Sequence, residues 1–429
     1  MSRLFVRRSL TAVGIYSSVV LGFAATVVAT RVFHSVPRFG DYVTVMAAAA
    51  LAQVFFDLTV EEAVIKYGFR YSAAEDWGRF RGLFRSALRF KLLGSALGAA
   101  ALVVFALVGP DRLRTALLIS AGIPLGQSLE GLAGAVLYLR NRYDIRSLLL
   151  TWSMGLRLAG VAVGARYGVA QAIAGVLAAQ VLASATVVGV GVLGFRRFPA
   201  AAPLPLGDDR RGIAAFIGQS SLATGTIALR QWLAPLLLLG VSSRVQIGYY
   251  RVAQAPQSAF QSLSAPARMV LLTEQTRDWE KGREASVLRG VRRYSAAAFV
   301  LALVLVPPLY VFLPDLIRVI NGAEYVGAAS AGRVFVFAAA VQLVFGWTKS
   351  FPVTIGRPGL RVLTHGVESA VVLPLVPLLG YRWGATGAAF ATLAGMLVFA
   401  AMWTVIFLRI RPRDVHPPAL RDEAGMLVP

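Results

Sequence analysis

The chain of 429 residues has no cysteine, three histidines and only 21 acidic residues against 43 basic ones. Without cysteine, disulfides and thiolate chemistry are excluded. Three histidines are too few for a His-rich metal centre, so no metal or cofactor is expected. Charge is scarce overall: 15% of residues are Asp, Glu, Lys or Arg, where soluble proteins carry about 25%. Enzyme motifs are missing too. The sequence holds no Walker A loop, no dinucleotide fingerprint after a strand, no HExxH and no GxSxG elbow in a suitable context. ATP-driven transport on this chain is thereby excluded.

What remains is apolar. The chain is 57% hydrophobic with a mean hydropathy of +0.66, and apolar windows of about 20 residues, enough to cross a bilayer, recur throughout. Spans are expected near residues 10–30, 42–62, 88–108, 115–138, 146–165, 168–194, 213–239, 246–267, 294–313, 328–348, 360–379 and 386–408. The basic start MSRLFVRRSL resembles a signal peptide, but the apolar stretch after it is longer than the usual h-region, so it reads as an uncleaved first span. The net charge of +22 would suggest nucleic acid in a soluble chain; here its distribution between loops matters more. With a cytoplasmic N-terminus, and with Arg89, Lys91, Arg146 and Arg361 at the cytoplasmic ends of their spans counted with the loops, 31 Lys and Arg fall on the cytoplasmic side, 8 outside and 4 within spans. That bias predicts an even number of spans, both termini cytoplasmic, and no nucleic-acid partner.

Two cytoplasmic segments stand out. AAEDWGRFRGLFRSALRFKLL (73–93) puts Trp77, Phe80, Phe84, Leu88 and Leu92 on one face beside arginines, as an interfacial helix leading into the third span would; a plain basic loop is the alternative. FRRFPAAAPLPLGDDRRG (195–212), rich in Pro and Ala, reads as a linker at mid-chain. The halves on either side echo each other. RYGVAQAIAGVLAA (166–179) matches RWGATGAAFATLAG (382–395), RNRYDIRSLL (140–149) matches IGRPGLRVLT (355–364), and FGDY (39–42) matches IGYY (247–250). Three echoes in the same order predict a repeat of six plus six spans. Six is even, so both copies run in the same sense, related by an axis along the membrane normal. The expected fold is an all-α membrane protein of about 12 transmembrane helices in two six-helix bundles, residues 1–195 and 213–429, joined by a linker at 196–212, around a central cavity.

Intramembrane polar groups are costly and are expected to face a hydrated interior or a partner. Gln219, Thr226 and Arg230 share one face of the seventh span. Arg251, Gln254, Gln257, Ser258, Gln261 and Arg268 form a stripe on the eighth, with Pro256 and Pro266 able to bend it. Such stripes line cavities, whereas arginine near a helix end can instead snorkel to the surface. Arg157 lies within reach of the cavity set or of an ion pair with Glu130. Asp57, Glu61 and Glu62 at the end of the second span, and Glu368 beside His365 in the eleventh, are candidates for ion coupling along with Glu130; pairing with Lys66 or Arg361 is the structural alternative.

With FGDY, DLTVEEAVIKY (57–67), NGAEYVGAA (321–329) and GATGAAFA (384–391) in place, the chain resembles the bacterial polysaccharide flippases of the multidrug/oligosaccharidyl-lipid/polysaccharide superfamily over nearly its whole length. Ala63 and Tyr67, and Gly322, Glu324, Tyr325 and Ala328, stand where that family's pattern places them. Thr59 departs from it, standing where the family usually has glycine. The resemblance implies an inner-membrane exporter, not an enzyme, whose cavity opens alternately to each side and whose cargo is a polyprenyl-diphosphate-linked oligosaccharide for surface polysaccharide such as lipopolysaccharide. It leaves room for membrane lipid and other polysaccharide-assembly proteins as partners. Guanidinium forks suit pyrophosphate, so Arg230 and Arg251, with Arg31 and Arg157, are candidates to hold it, and Gln254, Gln257 and Gln261 to bond sugar hydroxyls. A multidrug cation antiporter of the same superfamily would favour acidic and aromatic cavity residues. The lipid II flippase branch usually carries two further helices, for which this chain lacks room. A membrane glycan polymerase or ligase is disfavoured by short outer loops, the longest being LPDLIRVINGAEYVGA (313–328).

Overall fold

The computed structural model describes residues 3–410 except 58, 262–274, 276–277, 280–282, 356 and 358. Arg268 and Pro266 of the eighth-span stripe therefore lie outside the described residues, as does the side chain of Asp57. Among the described residues there is no strand, and ten helical segments are long and apolar enough to cross a membrane. One of the ten, Gly359–Arg409, holds the two expected spans at 360–379 and 386–408. The expected eighth span begins as Arg244–Ala253 and leaves the described residues after Gln261.

The helices are α1 (Arg3–Phe33), α2 (Val36–Asp57), α3 (Val60–Ala73), α4 (Trp77–Val108), α5 (Arg114–Ser120), α6 (Gly122–Leu139), α7 (Tyr143–Gly164) and α8 (Val169–Phe195). There follow α9 (Asp209–Val241), α10 (Arg244–Ala253), α11 (Glu284–Ile320), α12 (Ala329–Val344) and α13 (Gly359–Arg409). Proline occurs inside α9, α11 and α13, as membrane helices tolerate where neighbouring groups satisfy the freed carbonyls. Outward bands of leucine and valine, such as Leu93, Val104, Leu107 and Val108 on α4 and Val304 on α11, are exposed, as lipid-facing surface requires.

Two compact units result, Met1–Arg251 with Ile317–Val326, and Val252–Leu316 with Gly327–Pro429. In the first, α3, α4 and α6 close on a core of Val64, Tyr67, Phe80, Leu83 and Leu132, sealed by Phe195, Phe198 and Phe216. In the second, Trp347, Phe351, Trp403 and Phe407 stack edge to face or tilted, the Trp347 and Trp403 rings 5.5 Å apart.

The segment at 73–93 differs from the interfacial helix expected of it. α4 runs unbroken from Trp77 to Val108, its first turn capped by Asp76, whose side chain accepts from the Arg79 amide at 3.0 Å. Phe80 and Phe84 of the expected face pack on protein, while Leu88 and Leu92 further along it are exposed. Phe80 is fully buried, with Phe198 4.9 Å away, and Phe84 packs 4.8 Å from Phe195. The segment 199–204 is tied down alongside: the Leu204 amide donates to Gly78 O at 3.0 Å and Arg81 Nε to Pro199 O at 3.1 Å.

The sequence echoes have geometric counterparts. Gly168 and Gly384, each opening the last helical stretch of its half, both adopt positive φ, 138° and 54°, which L side chains with a Cβ rarely do. Gly40 and Gly248 face each other where α2 crosses α10: a Cβ on Gly40 would overlap the Arg244 carbonyl, and one on Gly248 would lie 2.9 Å from the Val36 carbonyl. The two contacts are reciprocal, glycine against the carbonyl four residues before the other glycine, as a local two-fold relation between α2 and α10 produces. Arg146 and Arg361 also correspond, each with a buried Nε that has no hydrogen-bond partner among the described residues.

Candidate functional site

Within the first unit α2 and α9 run side by side, and two hollows lie along them. The first, about 140 Å³, is walled by Gly22, Ala25 and Thr26 of α1, Phe39, Tyr42, Val43, Met46 and Ala47 of α2, and Met154 and Arg157 of α7. Gln231, Trp232 and Pro235 of α9 and Arg251 of α10 complete it. Arg251 rests over the Trp232 ring at 6.0 Å. Arg157 and Arg251 are close enough to repel one another, and both act electrostatically on Tyr42. No carboxylate lines this hollow among the described residues. It is a polar, cationic recess with an aromatic wall, suited to an anion attached to an amphipathic body.

The second hollow, about 190 Å³, is lined by Gln53, Val54, Thr59, Glu61, Ser221, Thr224 and Gly225. Here α3 is stitched to α9. Ser221 Oγ accepts from the Thr59 amide at 3.1 Å and lies 3.2 Å from Thr59 Oγ1, and Ser220 donates to Glu62. At the start of α9, Asp209 accepts from Tyr71 Oη at 2.9 Å and pairs with Arg70 at 3.3 Å. Thr59, where a glycine was the family expectation, thus uses its hydroxyl and amide in a polar contact. Beyond the first hollow the opposite end is also joined: Asp41 pairs with Arg112 at 3.2 Å and Arg244 at 3.3 Å, and Tyr325 is buried edge-on to Phe39.

The expected site residues scatter. Arg157 and Arg251 meet in the first hollow. Arg230 is half-buried on α9 beside Tyr250, one residue before the lining Gln231, and is not itself in the lining. Arg31 donates from Nε to Ile320 O at 2.9 Å and also to the carbonyls of Arg318 and Val319, capping the end of α11. Gln254, Gln257 and Gln261 belong to the second unit, where Gln261 donates to Gln342 Oε1 at 3.2 Å. Glu130 does not pair with Arg157: it accepts from Gln180 Nε2 and Ser184 Oγ, each at 2.7 Å, joining α6 to α8. Among the described side chains, neither Lys66 nor Arg361 takes Glu61, Glu62 or Glu368. Glu61 receives the fully buried Lys91 ammonium at 2.6 Å, and Lys66 sits over the Phe216 ring at 4.3 Å. Glu368 is buried with His365 at 2.9 Å, whose ring stacks on Phe399.

Tyr42, Met154, Gln231 and Trp232 escaped the sequence reading. Tyr42 was legible as the last residue of the FGDY echo, and Gln231 as an amide in an apolar run; Trp232 and Met154 carry no local signal.

No protein-family model and no curated protein matches the sequence. Solved structures do. The inward closed form of the lipid II flippase MurJ superposes with a TM-score of 0.74 at 13% identity, covering 93% of this chain and 89% of that one. An inward-facing multidrug resistance MATE family transporter of the MOP superfamily gives 0.68 at 12%, over 95% and 98%. The MATE transporter VcmN of Vibrio cholerae gives 0.64 at 13%, over 95% of each. The chain has the fold of MOP superfamily transporters and flippases, and these neighbours are not enzymes.

Proposed function

We propose that the protein is a flippase that moves a polyprenyl-diphosphate-linked oligosaccharide across the bacterial cytoplasmic membrane by alternating access, for surface polysaccharide assembly. What carries this reading is the first hollow, with two arginines, Trp232 and Tyr42 in its walls and no carboxylate among the described lining residues. A pyrophosphate offers oxygens to both guanidiniums at once, with charge-assisted bonds that neutralise their mutual repulsion. Arg31, engaged on the α11 carbonyls, has a structural role here. Residues 1–195 and 213–429 are the two repeats, and the second hollow is the same pathway at another depth. Gln254, Gln257 and Gln261 of the second unit are the reading's candidates to bond sugar hydroxyls. The neighbouring MATE transporters keep a second reading alive, a multidrug cation antiporter, but a cation would meet two like charges in this recess.

The test is to delete the gene and follow carrier-linked glycan. Accumulation on the cytoplasmic leaflet, reversed by the wild-type gene and not by the Arg157→Ala/Arg251→Ala double variant, is the expected result. Unchanged glycan distribution together with a gain in sensitivity to cationic drugs would overturn it in favour of the antiporter.

A further inference from the structure

A third recess, about 460 Å³, lies among α4, α6 and α8 of the first unit, sharing no residue with either hollow. Its walls are almost wholly apolar: Phe84 and Leu88 of α4, Leu129, Leu132 and Val136 of α6, and Val188, Val192 and Phe195 of α8. Ala201 and Pro203 of the tied-down segment close one side. The volume falls in the range of ligand sites, about 300–1,000 Å³. From Arg81 to Leu88 the recess follows α4 for about 10 Å at 1.5 Å per residue. Leu88 and Val192 at its mouth are exposed, so it is reached from the side of the helices. Two arginines mark one end. Arg81 lies over Phe195 at 5.2 Å, with its Nε held by Pro199 O. Arg85 is exposed and makes no hydrogen bond or ion pair with the described residues. No acid lines the recess among the described residues.

We propose that this groove binds an anionic glycerophospholipid of the bilayer, one acyl chain between α4, α6 and α8 and the phosphate on Arg85 and the terminal nitrogens of Arg81. The charge at the mouth selects the anion, the apolar depth takes the chain, and the basic starts and ends of these helices set the groove at headgroup level. The bound lipid completes the wall that the segment 199–204 forms against α4, and so holds that segment in place. The proposal is independent of the transported substrate.

Native mass spectrometry of the purified full-length protein, titrated with palmitoyl-oleoyl phosphatidylglycerol or with phosphatidylcholine of the same chains, tests it. The wild type retains the anionic lipid at about tenfold lower concentration, the factor carried by one charge-assisted contact. Arg85→Gln removes that preference, Val192→Trp, which fills the mouth, removes retention of both lipids, and Arg251→Ala changes neither. Should Val192→Trp not fold, Arg85→Gln at its exposed position still decides. Equal retention of both lipids by the wild type, an unaltered preference in Arg85→Gln, or displacement of phosphatidylglycerol by a polyprenyl phosphate at equal concentration would each overturn the assignment.

Discussion

Arg251 and Arg157 face one recess in which the two guanidiniums repel and no carboxylate is among the described lining residues, and the proposed function makes them the ligand's anchor. An anionic cargo relieves both at once. Hydrogen bonds to charged groups contribute about 1.5–3 kcal/mol each, so Arg251→Ala or Arg157→Ala should lower export roughly 10- to 150-fold, with membrane abundance unchanged. Arg251→Lys should recover only part, because an ammonium keeps the charge and loses the fork. Export assays beside immunoblots of the membrane fraction separate these outcomes, and normal export by both alanine variants would sink the site. Glu130 is a different case. Its partners Gln180 and Ser184 satisfy one carboxylate oxygen between two helices, an arrangement that fastens α6 to α8 without needing a proton to move. Glu130→Gln, which retains an acceptor, should keep transport, while Glu130→Ala should lower the unfolding temperature, leaving two donors short at about 1–3 kcal/mol. Loss of transport in Glu130→Gln with unaltered stability would return the residue to the ion-coupling role.

At the scale of elements, α2 and α10 depend on their glycines because two backbones meet there carbonyl to Cα. Gly40→Val has nowhere to place its side chain and should separate the crossing, lowering detergent-solubilised yield and unfolding temperature. Gly218, which meets nothing nearby, should accept valine with little change, a control at a membrane-helix glycine. At the other end, Thr59 and Ser221 are near enough for a cross-link, and the chain contributes no cysteine of its own to interfere. A Thr59→Cys/Ser221→Cys pair should oxidise readily and stop transport until reduced, if α3 and α9 separate during the cycle; full transport by the oxidised protein would show that they stay together. These elements also show what the sequence made legible. Apolar length placed the spans, and the FGDY/IGYY echo paired Gly40 with Gly248, but nothing in it said that the two helices cross there. The partner of each face stayed hidden. Phe80 and Phe84 have the same spacing whether they meet lipid or Phe195 and Phe198, and only the tethering of 199–204 decides it. Arg31 likewise looked like a cavity arginine until three carbonyls at the end of α11 came into reach, a meeting across 287 to 289 positions of sequence. Periodicity reports which residues share a face, and long-range packing alone reports what that face touches.

For the whole molecule, repeat and charge distribution argue together. The local two-fold relation of Gly40 and Gly248 and the positive φ of Gly168 and Gly384 recur at the offsets seen in the sequence. Copies that run in the same sense need an even number of crossings each, so the linker must emerge on the side where the chain began. Under the positive-inside rule, the excess of arginine on α4's start, at 79, 81, 85 and 89, and on residues 196, 197, 210 and 211 predicts that both lie on the cytoplasmic face. The cysteine-free chain permits a direct measurement with single introduced thiols and a membrane-impermeant maleimide. Asp111→Cys, beside the start of α5 and with its side chain 87% exposed, should label in intact cells. Ala74→Cys and Gly207→Cys should label only after the membrane is opened. Labelling of Gly207→Cys in intact cells would put the linker outside, break the even count in the first half, and with it the same-sense repeat on which the pathway through α2 and α9 rests.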